Sequence, residues 1–145
     1  MKARQIHEAA GQRTFAVIMD AGDEVMAALE EFARTEKLSA AQVSAIGAFS
    51  RATLAFWERS TREYRKIPVE EQTEVLSLLG DIALTEDGQP KIHLHAVLGR
   101  ADASTLGGHL MDGVAEPTLE VIVTESPAHL RRVFDPDKGL ALIRP

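Results

Sequence analysis

From Leu38 onward the apolar residues recur at every second position, and the pattern holds across the strand-like segments as far as Thr124. Such alternation sends successive side chains to opposite faces of a strand, and it cannot give the continuous stripe a buried helix needs. The spacing predicts strands over 42–46, 53–58, 62–69, 73–84, 90–98, 106–111 and 119–124. Gly47 marks a bend or bulge between the first two. Glu86-Asp87-Gly88 marks a hairpin turn before Pro90, and Glu116-Pro117 a turn before Leu119. Connections this short favour antiparallel neighbours.

The segment before Leu38 reads differently. Residues 13–20 predict a first strand, and Gly22-Asp23 opens a helix with Asp23 as N-cap and Glu24 in the first turn. Val25, Met26, Leu29, Phe32 and Ala33 recur at helical spacing and form its buried stripe. The expected fold class is α+β, with one principal helix packed on a mostly antiparallel sheet or open barrel. A chain of 145 residues is the size of one domain, expected to span 1–145.

Composition narrows the function classes. There is no Cys, so no disulfide framework is available and a metal site would draw on His and carboxylates. Residues 1–7 lack the apolar run of a signal peptide and no stretch reaches membrane-spanning length, so the expected location is cytoplasmic with no membrane partner. The formal net charge is −6. The one dense basic stretch, Arg59, Arg62, Arg65 and Lys66, is followed by Glu70 and Glu71 and reads as a solvated strand edge. Phosphate backbones are held mainly by clustered Lys and Arg, so the isolated chain is expected to bind DNA weakly.

The informative chemistry lies in Lys91-Ile92-His93-Leu94-His95-Ala96-Val97-Leu98. On a strand, Ile92, Leu94, Ala96 and Leu98 share the core face, which leaves His93 and His95 together on the other. His109 follows in Leu106-Gly107-Gly108-His109-Leu110. A hairpin turning around Ala101-Asp102-Ala103 sets Leu98 opposite Leu106 and His95 opposite His109, and a one-residue slip would lose both alignments. Opposed residues have Cβ atoms roughly 4.5–5.5 Å apart, a spacing that suits two ligands of one ion. Three His without an evident fourth ligand match an open zinc-type site, which has room for a small-molecule ligand, better than a closed structural one.

Other candidates carry less. Glu120, opposite in direction to Leu119 and Val121, could be a fourth ligand, an acceptor for a His N–H, a general base, or an exposed strand residue. Glu74 reads as a solvated strand end, and His7 and His129 have no supporting spacing. Gly107-Gly108 lacks a phosphate-cradling context, and Ser50 and Ser77 lack a nucleophile signature. Phe49, Phe56 and Trp57 are expected to pack in the core or between subunits, and a second sheet face could carry them together with Met111 in an interface.

The chain resembles the plants-and-prokaryotes conserved (PPC) domain from about residue 13 to about residue 125. The resemblance rests on Gly22-Asp23, Ile46-Gly47-Ala48-Phe49, Tyr64, the strand Glu74 to Gly80, His93 to Gly99, Gly107 to Leu110 and Glu120. It implies a strongly twisted antiparallel sheet, assembly as a homotrimer and association with DNA, although the Arg-Gly-Arg-Pro AT-hook of plant members is missing. The fold is also similar to that of acetolactate decarboxylase, which implies His93, His95 and His109 as metal ligands. Two functions are expected. The first is a homotrimeric, DNA-associated or regulatory binding module with a divalent metal, zinc. The alternative is a small metal-dependent lyase or hydrolase with Glu120 handling the proton.

Overall fold

Two long strands organise the chain in the computed structural model, which describes residues 1–144. β3 runs Ala40–Glu58 and β7 runs Thr105–Glu125, paired antiparallel from Ala41–Glu125 to Ala55–His109. β5 (Thr73–Leu84) and β4 (Glu63–Val69) share the other edge of β3. β6 (Pro90–Gly99) and β2 (Gln12–Asp20) share the other edge of β7. Because β5 also pairs β6, the strands β3, β5, β6 and β7 form a closed circuit with open flanks. β1 (Lys2–Ala9) extends one flank, and the hairpin β8 (Arg131–Asp135) and β9 (Leu140–Arg144) joins the end of β5 by one parallel pairing, Leu84–Arg131. Among the described residues this gives nine strands in one sheet of mixed orientation and one helix, α1 (Val25–Thr35). The class is α+β with β predominant, and the sheet is not a clean barrel.

Where the predicted breaks differ, a local device keeps the strand whole. Gly47, at φ +149°, absorbs a register shift inside β3, and an added Cβ there would sit 2.8 Å from the Leu119 Cα, so the bulge needs glycine. The predicted turn at Glu116-Pro117 is instead a cis peptide within β7, which continues through it. Glu24, not Asp23, caps α1: its carboxylate accepts from Met26 N at 3.3 Å and Ala27 N at 2.7 Å. Asp23 accepts from Asp20 N instead and pairs with the N-terminal ammonium. Strands β1, β8 and β9 lie outside the predicted set, and β1 is exposed throughout.

The helix covers the inner sheet face through Val25, Leu29, Phe32 and Ala33, and Phe32 meets Phe15 edge-on at 5.3 Å. Leu54, Leu78, Leu94, Leu98, Leu110 and Leu119 complete the core beneath it. The residues expected in the core or on a second face divide between the two. Phe49 is wholly buried in this chain's own core, Trp57 packs edge-on against Tyr64, Met111 is half-buried, and only Phe56 is exposed. β4 is an edge strand carrying Arg65 and Lys66 exposed as expected, with Arg65 paired to Glu58, while Arg59 and Arg62 lie exposed in the turn between β3 and β4.

Candidate metal centre

The expected hairpin register is present: Leu98 pairs Leu106 and His95 pairs His109. Ile92, Leu94, Ala96 and Leu98 are buried, so His93 and His95 emerge on the opposite face of β6. The ligand atoms of His93, His95 and His109 all lie within 4.8 Å of one another. Three nitrogens bound tetrahedrally at about 2.0–2.1 Å would be about 3.3 Å apart, so small ring rotations bring all three onto one ion. The rings are already splayed around a common point, with centroids 5.1, 5.1 and 5.5 Å apart.

Each imidazole has a different environment. Tyr64 stacks on His109 at 4.7 Å and 25° between planes, and Trp57 in turn buttresses Tyr64. His109 Nδ1 is buried without a hydrogen-bond partner among the described residues, a donor atom whose desolvation an ion would offset. Burial, then the neighbouring His93 and His95, push the His109 pKa down to about 4. His95 is exposed, yet desolvation of its ring and the adjacent His93 also lower its pKa. Depressed values keep both rings neutral, the form that ligates. The donor set therefore fits a divalent ion of the zinc type.

Beyond the His95–His109 pair the two strands diverge, β6 staying on β5 and β7 on β3. The gap forms a cavity of about 340 Å³ with His93 and His109 in its wall. Met26 from α1 and Leu140 and Leu142 from β9 supply apolar lining.

Two further residues belong to this centre. Asp81 lies directly across the ladder from His93, and its Oδ2 is 3.7 Å from His93 Nδ1. Arg132, from β8, donates through Nη2 to Asp81 Oδ1 and Oδ2 at 2.7 and 2.8 Å and to His93 Nδ1 at 3.1 Å. Burial raises the Asp81 pKa, but His93 and the Arg132 guanidinium outweigh it and hold the carboxyl below its ordinary value. A lone acid in the apolar run Leu78-Leu79-Gly80-Asp81-Ile82 was the available signal for Asp81. Arg132 had none, because nothing in the sequence sets the C-terminal hairpin against β6.

Glu120 does not join them. Since β7 is unbroken, Glu120 lies eleven residues along the same strand from His109, paired with Ile46 and Ile18 and exposed. At about 3.3 Å per residue it is too distant to ligate, to accept from a ligating His or to act as the base. Glu74 is an exposed strand residue, as expected, and His129 bonds Ser39 through Nδ1 at 2.7 Å.

The Plants and Prokaryotes Conserved (PCC) domain matches residues 6–127. The chain belongs to this family. Solved relatives of the PCC domain superpose along most of its length. A metal-containing protein of Archaeoglobus fulgidus is 32% identical, with TM-score 0.84 over 91% of this chain and 93% of that one. A PPC protein of Pyrococcus horikoshii is 27% identical, with TM-score 0.85 over 92% of each. A candidate DNA-binding protein of Bacteroides thetaiotaomicron is 27% identical, with TM-score 0.85 over 95% and 94%. Acetolactate decarboxylase of Bacillus subtilis subspecies spizizenii, 18% identical at TM-score 0.51, shares the fold over 77% of this chain and 52% of that one. The bifunctional protein GlmU of Synechococcus sp. (strain JA-3-3Ab) is 36% identical over 121 residues, and this chain spans only 18% of its length.

Proposed function

We propose that this PCC domain is a homotrimeric, metal-anchored binding module in which His93, His95 and His109 hold one divalent ion, zinc. The observation that carries this is the convergence of three histidines, two of them kept neutral, beside a cavity with apolar walls. Imidazole-only donors suit Zn²⁺ over the harder Mg²⁺ and Ca²⁺. Three protein ligands leave a coordination position for a small-molecule ligand seated in the cavity. Trimerisation is supported by the outer sheet face, where Ile46, Leu76, Leu79, Val97 and Ile122 are all exposed, Ile46 by 60%. Monomers rarely leave an apolar patch of that extent open. Association with DNA is part of the reading through the candidate DNA-binding relative, and at a net charge of −6 it requires a partner.

Untagged protein should carry close to one divalent ion per chain by elemental analysis, and His95→Ala should lose it. Protein that stays metal-free after incubation with zinc would refute the metal reading. The enzyme alternative keeps the cavity but needs another proton carrier, because Glu120 is remote and Asp81 is engaged by Arg132.

A further inference from the structure

We infer that Arg132 is a latch on the metal centre, withholding His93 from an ion, and that Asp81 is the positioning residue that takes His93 over when the latch opens. The inference rests on the three-histidine reading above. A guanidinium has donors and no acceptor. The 3.1 Å contact from Arg132 Nη2 to His93 Nδ1 is therefore a bond in which Nδ1 accepts, so the ring hydrogen sits on Nε2. Ligation through Nε2 requires that hydrogen to move to Nδ1, where it would confront the Arg132 donor. Ligation through Nδ1 requires the lone pair that Arg132 occupies. The ring has no third nitrogen, so a ligating His93 cannot keep this hydrogen bond.

Asp81 supplies the alternative. Its Oδ2 lies 3.7 Å from His93 Nδ1, too long for a hydrogen bond, and a shift of under about 1 Å would form one. Ligating histidines commonly donate their other N–H to a carboxylate, which fixes the ring and raises its basicity. Asp81 faces His93 across the ladder and is in place for that role with Nε2 on the ion. Arg132 is held by the same carboxylate, so Asp81 serves the latch in one arrangement and the ligand in the other. The Arg132 side chain is 9% exposed, and its Nε is buried with no hydrogen-bond partner among the described residues. That orphaned donor lowers what the latched arrangement is worth.

The latch sits on the β8–β9 hairpin, beyond the 6–127 segment that the family pattern describes. Metal affinity is thereby tied to docking of the hairpin. The tie is reciprocal: a firmly docked hairpin weakens the ion, and the ion loosens the hairpin.

The test is zinc affinity by chelator competition on untagged wild type and Arg132→Met, which keeps length and removes the donors. The variant should bind at least about tenfold more tightly, the scale of one charge-assisted hydrogen bond. In that background, adding Asp81→Asn should weaken zinc by about tenfold. Nitrogen-15 NMR of metal-free wild type should find the His93 hydrogen on Nε2, moving to Nδ1 with zinc, and hydrogen exchange of the β8 and β9 amides should quicken. Equal or weaker binding by a folded Arg132→Met overturns the latch alone, as does a His93 hydrogen already on Nδ1. If neither protein takes up zinc, the three-histidine reading falls and the latch with it. Should Arg132→Met fail to fold, the wild-type NMR result decides.

Discussion

His109 has the surroundings least like water of the three imidazoles, between the Tyr64 ring and two other histidines. Its pKa of about 4 lies below the ordinary 6.5, so protons bind the unfolded chain more readily. Its contribution to stability is whole above about pH 6.5 and is lost as the pH falls from there toward 4. Urea midpoints of metal-free protein should drop between pH 7 and pH 5, and His109→Gln should flatten part of that drop. An unchanged slope would show that the ring is better solvated than its contacts imply. Gly80 bears on the same site from below. A Cβ there would collide with the His93 carbonyl oxygen and approach Leu94 Cα to 2.9 Å, both backbone atoms. Gly80→Ala should cost at least about 2 kcal/mol by thermal or urea unfolding and weaken zinc by displacing His93.

At the scale of the element, the start of α1 and the length of β7 each decide something testable. Glu24 reaches the amides of Met26 and Ala27, so Glu24→Ala should destabilise the fold by about 1 kcal/mol in urea titrations. Loss well below that would return the capping role to Asp23. β7 continues through Glu116-Pro117 and carries Glu120 away from the histidines along one strand. Glu120→Gln should therefore leave zinc affinity unchanged by chelator competition, where an acid in contact with the ion or its ligands would weaken it. The diverging ends of β6 and β7 open the cavity, and Met26 of α1 and Leu140 and Leu142 of β9 add apolar wall to what those two strands supply.

For the molecule as a whole, the outer sheet face sets the expected assembly. Leu79 is 54% exposed and lies across the ladder from His95, so the apolar face begins beside the three histidines. Light scattering should give about three times the 15.8 kDa chain mass, and Leu79→Asp should dissociate the assembly by placing an unpaired charge in a buried contact. A wild type that runs as a monomer at low micromolar concentration would rule the trimer out. The same molecule should bind random duplex DNA far more weakly than the 10⁻⁸ M or so of a specific complex. Submicromolar, salt-sensitive binding would show that the exposed Arg59, Arg62, Arg65 and Lys66 act together despite the net charge.

Much of the centre was legible because alternation is strict. Once Ile92, Leu94, Ala96 and Leu98 claim the core, His93 and His95 have one face left, and the same leucine register delivers His109. Local pattern likewise fixed the helix stripe and the whole of β5, Thr73–Leu84. The sequence was silent or misleading where a partner distant in the chain decides. Gly47 was legible as a bend or bulge and is one, but the strand running on through it, and through Pro117 where a turn was expected, depends on long-range pairing with β5, β7 and β3. For Phe49 residue type left core and subunit interface both open, and the close approach of its ring to Gly113 shows the cross-strand space that buries it in the core. Arg132 is 39 residues from His93 and meets it only because the C-terminal hairpin folds back on β5. Periodicity determines which side a residue faces; which residues from other strands share that side is decided by pairing, and pairing is a property of the folded chain.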